Sequence, residues 1–450
     1  MNRRHLIASA LVLAASAAAA AESPMHESIV RERPMNFDEA KVKPFALPDV
    51  LTFADGTKVT RETWARRRQE MLAILSREML GAEPPKPDVL ELEASTNVVV
   101  CAGFGLRRNY RMWFRKDRSG PYVDWTVWLP NRPLVQNAES GPSYVNPLKG
   151  VPVVLMLNYS GNHAYAEDAG VPLPEWPWVE PGGPARHFVA KESDRGSALR
   201  AETRRHLPLH AILARGYALM TACYEQIAPD NVERMYDGVL RLWPRDRDDS
   251  PRAIGAWAWA LSRGLDLAER IPEIDARKSV VTGSSRLGKT ALVAAARDER
   301  FAVCVPNQTG KGGSPLWKRD FGENLSMFFR KYSRSWWVPS FVKYAHDESK
   351  LPFDMHFLVA AVAPRPLLVE SWTDPVFDPR GEFLSLKAAS PAWELLTGTG
   401  LPAVAYPESY GTSAIGARLG FVHRGGYHGI SALDWDWMLD FADSAFGSKR

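Results

Sequence analysis

The stretch from Ser279 to Ala296 constrains this chain more than any other. Ser279 to Thr282 reads as a strand, Gly283-Ser284-Ser285-Arg286-Leu287-Gly288-Lys289-Thr290 follows, and Ala291 to Ala296 reads as a helix. A strand, a tight turn and a helix in that order belong to parallel α/β sheets, where such turns present side chains at the carboxyl ends of the strands. Two chemistries use this turn. In one, small residues permit a sharp bend that lifts a serine above the sheet beside the positive end of the helix. Ser285 is then the nucleophile, Ser284 lies before the apex, and the second glycine of the usual Gly-x-Ser-x-Gly comes one place late, at Gly288. In the other, Gly283 to Thr290 satisfies Gly-x-x-x-x-Gly-Lys-Thr, whose amides cradle phosphates while Lys289 reaches the terminal ones. A phosphate loop usually follows the first strand of its domain, and here several strand candidates precede it. The serine reading is the stronger.

Those candidates are Val151 to Asn158 and Ala218 to Cys223, with Phe301 to Val305, Pro366 to Glu370 and Ala403 to Tyr406 downstream. Helical stretches lie between and around them, at Leu207 to Arg215, Ala253 to Arg270, Lys289 to Ala296 and Trp435 to Phe446. Alternation of this kind predicts an α/β sheet with helices on both faces. Arg61 to Leu80 carries Trp64, Met71, Leu72, Ile74, Leu75 and Leu80 near helical spacing and predicts an earlier helix. The aromatic segments Glu175 to Ala185 and Lys331 to Phe341 suit either sugar stacking or core packing.

At the N-terminus, Arg3 and Arg4 precede an apolar run from Leu6 to Leu13 and small residues ending near Ala21, the pattern of a secretory signal peptide. The paired arginines also fit a twin-arginine signal, and either route predicts a periplasmic or secreted protein. No later run approaches the roughly 20 apolar residues that span a bilayer, so no stable membrane anchor is expected. The expected organisation is a signal peptide over 1–21, a wrapping segment with a helix over 22–100 and a catalytic domain over 101–450. With 56 Lys and Arg against 52 Asp and Glu, the net charge of +4 leaves no electrostatic footprint for nucleic acid. Cys101, Cys223 and Cys304 sit in apolar surroundings and read as buried thiols, one disulfide being compatible but not required. Their spacing matches no zinc pattern, and no HExxH is present, so neither metal nor organic cofactor is expected.

The segment Ala253 to Phe301 resembles the bacterial glucuronoyl esterases, carbohydrate esterase family 15 of the α/β-hydrolase superfamily. So do LMLNYSGNHA at Leu155 to Ala164, ILARGYALMTACYEQIAPD at Ile212 to Asp230, PNQTGKGG at Pro306 to Gly313, APRPLLVESWTDPVFDPRGEF at Ala363 to Phe383 and RGGYHGISALDWDWMLDFAD at Arg424 to Asp443. The resemblance covers Arg61 to the C-terminus. It implies a three-layer sandwich with a mostly parallel central sheet, and a monomeric serine esterase acting on glucuronate esters between glucuronoxylan and lignin. The alternatives are a related carbohydrate esterase, a non-catalytic carbohydrate-binding relative and, behind both, the phosphate-loop protein.

A serine hydroxyl needs an imidazole to take its proton and a partner to fix that imidazole's tautomer. His428, late in the chain in Gly-Gly-Tyr-His-Gly, fits the base, with His423 as competitor. The resemblance offers two positions for the acid. At the first this chain carries Gln308 where a glutamate would match, and glutamine has no charge to give. The second is Asp374, which also suits the chain order serine, acid, histidine, with Asp378 as the structural or alternative carboxylate. The amide and guanidinium of Arg286 are the expected oxyanion donors. Lys289, Glu323, Gln308 and Trp372 complete the expected substrate contacts. Where these esterases tend to carry a tryptophan on the uronate, this chain reads Pro375 and Val376, and neither Trp372 nor Phe377 aligns with it.

Overall fold

The computed structural model describes residues 30–132, 147–165, 168–172, 207–330 and 334–448. The signal-peptide segment, the aromatic stretch Glu175 to Ala185 and residues 331–333 lie outside them. An eleven-stranded sheet runs through the chain in the order β1-β3-β4-β6-β5-β7-β8-β9-β11-β10, with β2 paired to β3. The strands are β1 (Glu91–Ala94), β2 (Val98–Val100), β3 (Gly105–Trp113), β4 (Tyr122–Pro130), β5 (Val151–Asn158), β6 (Ala218–Cys223), β7 (Ile274–Ser284), β8 (Val303–Asn307), β9 (Leu367–Trp372), β10 (Thr412–Ile415) and β11 (Leu419–Arg424). The six strands from β6 to β11 along the middle of that order are parallel, and the flanking pairs are antiparallel. Strands β1 and β2, from the expected wrapping segment, hydrogen-bond to β3 in this same sheet.

Side chains alternate across a strand, so a strand buried on both faces feeds two cores. Val153, Leu155 and Leu157 of β5, with Val281 of β7 and Val369 of β9, pack on one side among the helices Ala253–Ala268, Arg286–Arg297 and Pro379–Thr397. Val154 and Met156, with Val280, Val305 and Leu368, pack on the other side with Leu209–Ala214 and Ala432–Phe446. This is the expected three-layer α/β-hydrolase sandwich. The helix Ala253–Ala268 is buried throughout. Among the described residues no helix is long and apolar enough to cross a membrane.

The early helix forms over Trp64–Leu75, and its last turns widen into a π-helix at Ser76–Leu80. One expected strand is absent: 403–406 is irregular, and the last parallel strand is β11, which the sequence reading passed over. Tyr406 instead packs its ring against Phe383, Phe421 and His423. The three cysteines are free thiols, two of them buried and Cys101 partly so.

Candidate active site

Every residue of the site hangs from the carboxyl edge of the parallel strands. Between β7 and the helix Arg286–Arg297, Ser285 takes φ 56° and ψ −128°, a strained conformation for a residue with a side chain. Two glycines make the turn fit. A Cβ on Gly283 would lie 2.5 Å from the Leu287 carbonyl oxygen, and one on Gly288 would lie 2.6 Å from that of Asn307. The late glycine therefore lets the helix approach the end of β8. The bend is locked by the Ser285 amide, which donates to the Asn307 carbonyl at 3.0 Å.

Ser285 and His428 line one pocket of about 330 Å³ with Tyr159, Ser160, Tyr165, Arg286 and Ile430. No direct hydrogen bond joins the serine to the histidine among the described residues, a common state of such a pair without substrate. His428 follows β11 on a glycine-flanked loop, and its ring packs against two aromatic neighbours that also touch each other, with centroids 5.4 Å apart. The Trp372 centroid is 5.0 Å away at 33°, and the Phe377 centroid 5.0 Å away at 43°. Desolvation of the ring against its aromatic neighbours first, then the cations Lys289, Arg424 and Arg286, push His428 down to about 4, with Asp374 pulling the other way, although the residue keeps an edge exposed to solvent. The imidazole is therefore neutral, as a general base must be.

Its Nδ1 meets the Oε1 of Gln308 at 2.9 Å. The same oxygen accepts from the Gly429 amide at 3.0 Å, which fixes the orientation of the glutamine and so the proton on Nδ1. Gln308 is fully buried at a positive φ of 48°. Asp374 does not touch His428: its Oδ1 caps the turn Pro375–Phe377 by accepting from the Val376 amide at 2.9 Å. Asp378, the alternative carboxylate, is buried between Lys311 at 3.2 Å and Arg319 at 2.9 Å and caps the next helix. Its role in the structure is to neutralise those two cations. His423 is buried on β11 with its Nδ1 on the Pro407 carbonyl at 2.7 Å.

Arg286 begins the nucleophile helix. Its Nη1 pairs with Asp230, whose carboxylate also accepts from Ser335 at 3.0 Å and Trp336 at 2.7 Å. Among the described residues the Nε of Arg286 is buried and without a hydrogen-bond partner, a donor left over beside the elbow. Lys289 is buried with its amine on the Thr309 carbonyl and is pushed down to about 8 by burial, which Glu323 opposes. An amine so engaged is not poised over a phosphate cradle, and the nucleotide reading of the turn falls. Glu323 accepts from the Lys311 amide at 3.0 Å, and burial raises its carboxyl above the usual range. Trp372 donates its indole to the Gly426 carbonyl at 3.0 Å, so it braces the histidine loop as well as the ring.

The sequence reading missed Tyr159, Asp230, Asn307 and Glu370. Tyr159 had a usable signal, because it directly follows a strand that was read correctly; its hydroxyl donates to the Ser284 carbonyl at 2.8 Å. Among the described residues no cluster of three His, Cys, Asp or Glu side chains is disposed to hold a metal.

A strained serine between strand and helix, sharing a pocket with a histidine from the loop after the last parallel strand, defines an α/β-hydrolase. Known proteins narrow the class. The family model described as "Glucuronyl esterase, fungi" matches residues 205–397. Carbohydrate esterase MZ0003, from an unknown prokaryotic organism, is 32% identical over 429 residues, 94% of each chain. The 4-O-methyl-glucuronoyl methylesterase of Phanerochaete carnosa is 26% identical over 382 residues, 82% of this chain and 75% of that one. Among solved structures, a glucuronoyl esterase from Solibacter usitatus superposes with a TM-score of 0.80 at 33% identity, over 91% of this chain and 100% of its own. The chain belongs to the glucuronoyl esterases, carbohydrate esterase family 15.

Proposed function

We propose that this protein is an exported serine esterase that hydrolyses 4-O-methyl-glucuronoyl esters linking glucuronoxylan to lignin, through an acyl-enzyme. The observation that carries the reading is the strained elbow of Ser285 in one pocket with a neutral His428 whose Nδ1 proton is held by Gln308. His428 Nε2 takes the Ser285 proton as the hydroxyl attacks the ester carbonyl. The tetrahedral oxyanion forms beside the Arg286 amide and its guanidinium. Collapse expels the alcohol, which receives the proton from His428, and water then releases the uronic acid by the same steps in reverse. Asp374 supplies a nearby negative charge that favours the imidazolium. The guanidinium of Arg286 suits a uronate ester, whereas Lys289 and Glu323, buried and engaged with Thr309 and Lys311, have to release those partners to reach the ring.

A second reading, an esterase with a shifted substrate, is favoured by Val376 in place of the tryptophan expected on the uronate. Purified protein assayed on benzyl glucuronate and on a simple acetyl ester separates the two. The proposal expects turnover of the glucuronate ester and, for Ser285→Ala, a loss of at least about a thousandfold with the fold intact. Turnover of the acetyl ester alone would transfer the assignment to the second reading, and activity surviving in Ser285→Ala would remove the serine mechanism.

A further inference from the structure

Behind the glutamine lies a buried chain of side chains that the ester chemistry above does not use. Gln308 Nε2 donates to the Oδ1 of Asn307 and, at 2.8 Å, to the Gly429 carbonyl. Asn307 Nδ2 donates in turn to Glu370 Oε2 at 2.7 Å. Each donor in the series His428, Gln308, Asn307 therefore points toward the next residue, and the series ends on a carboxyl group inside the sheet. Asn307, Gln308 and Glu370 are all buried, at 0%, 0% and 1% exposure. The backbone repeats the connection, because the Gln308 amide donates to the Glu370 carbonyl at 2.8 Å.

We propose that Glu370 is a positioning residue of the esterase, fixing through Asn307 and Gln308 the amide direction that keeps the proton of His428 on Nδ1. This rests on the assignment of His428 as base. An isolated asparagine or glutamine can turn its amide over at little cost, since oxygen and nitrogen occupy nearly the same space. A carboxyl oxygen at the end of the series removes that freedom, because Asn307 must show it an N–H. Its Oδ1 is then left facing Gln308, which must show an N–H in turn, and the Oε1 of Gln308 is left for the histidine. Gly429 reads the same orientation from the loop side. Other groups balance the cluster. Arg424 of β11 meets Asp434 of the final helix at 3.1 Å and also grips the histidine loop through the carbonyls of Tyr427 and Gly429, both at 2.8 Å. Burial and the neighbouring Asp434 raise the Glu370 carboxyl, while Asn307 and Arg424 lower it. Oε2 accepts from Asn307 when the carboxyl is ionised or carries its proton on Oε1, which has no other hydrogen-bond partner among the described residues.

The direction of the series yields a test that a merely structural residue would fail. In Gln308→Glu, the new carboxylate cannot donate to Asn307, so Asn307 must turn over and bring its Oδ1 against Glu370. The conflict disappears in Gln308→Glu/Glu370→Gln, where the amide at 370 can donate instead. The expected result is that Gln308→Glu lowers kcat about tenfold or more while the double variant recovers most of it, with the acid limb of kcat/KM moved to higher pH by the carboxylate now against the imidazole. Glu370→Met, which removes the acceptor, should lower kcat about tenfold at nearly unchanged KM, and Glu370→Gln, whose amide can show Asn307 either an oxygen or an N–H, should fall between that variant and the parent. If the effects of Gln308→Glu are the same in both backgrounds, or Glu370→Met keeps full kcat and an unshifted pH profile, Glu370 does not act through the series. The Gln308 pair decides the matter even if Glu370→Met fails to fold. The imidazole N–H proton resonance of His428, followed in the same variants, reads the tautomer without turnover, so failure of the serine reading, seen as activity in Ser285→Ala, remains distinguishable.

Discussion

The unusual company of His428 makes its pH dependence the sharpest measurable consequence of the structure. A histidine paired with a carboxylate has its imidazolium stabilised and its pKa raised; here Nδ1 meets a neutral amide, and burial and three cations act against the charged form. The pKa falls from 6.5 to about 4. One unit corresponds to about 1.4 kcal/mol, so the neutral form is favoured by about 2–3 kcal/mol after allowance for the partial solvent contact of the ring. The base is active when neutral, so kcat/KM of the free enzyme should rise with pH through about 4 and be flat from there toward neutrality. At pH about 5.5 an ordinary histidine would be roughly one-tenth neutral, whereas this one should be almost wholly so.

Initial rates on benzyl glucuronate between pH about 3.5 and 8, with circular dichroism at each pH, provide the assay. Activity at pH about 5.5 within twofold of that near neutrality is the expected result, and an acid limb near the ordinary histidine value would refute the reasoning. That outcome would mean a carboxylate, with Asp374 the nearest candidate, turns onto Nδ1 in the working enzyme. The same shift affects stability with a defined sign. Between the folded value of about 4 and the unfolded value of 6.5 the unfolded chain holds more protons on this group. Its contribution to stability therefore rises with pH across that window and is least favourable below it.

Two substitutions test the rest of the site. Asp374→Asn keeps the cap on the Val376 amide and removes only a charge that does not touch His428, so kcat should fall by about tenfold, and a loss on the order of 10⁴ would show direct contact in catalysis. Gly288→Ala places a methyl group 2.6 Å from the Asn307 carbonyl oxygen, which the end of β8 cannot yield without moving Asn307; a loss of about 2–4 kcal/mol in urea unfolding, with kcat lowered alongside, is expected, and an unchanged midpoint would show that the late glycine is not needed for close approach.

What the sequence made legible follows from how each element is buried. Val151–Asn158 and Ala218–Cys223 were read to the residue, because central parallel strands are unbroken apolar runs. Strand β3 carries Arg107, Arg108, Asn109 and Arg111 among its apolar residues, and this mixture hid it. Strand β11 is a short Leu-Gly-Phe-Val-His-Arg segment whose polar end is buried by partners elsewhere in the chain, and the apolar stretch at 403–406 stood in for it. The helix Pro379–Thr397 contains Pro391, which breaks the helical pattern on inspection although the helix continues through it. At the site, the positions of Ser285 and His428 were readable from turn chemistry and chain order. The partner of Nδ1 was not. Gln308 was visible only as a missing charge, and its amide contact depends on Gly429, over a hundred residues away, arriving beside it.

The loss of the charge at 308 and the depressed pKa of His428 are two sides of one arrangement. A glutamate at that position would face the Asn307 oxygen and, through Asn307, a second carboxyl at Glu370, so the neutral amide is the group that allows every donor in the buried series to find an acceptor. The negative charge is then not absent from the site but distributed around it: Asp374 beyond the ring and Asp230 against Arg286. In the proposed mechanism Asp230 bears on the oxyanion, because it occupies one nitrogen of Arg286 and leaves Nε and the backbone amide for the developing charge. With no carboxylate in contact to stabilise the imidazolium, more of the stabilisation of the transition state must come from those donors. In the proposed mechanism Arg286, one of the cations that depress His428, faces the oxyanion, and an imidazolium of low pKa is a weaker base toward Ser285 but a stronger acid toward the leaving alcohol.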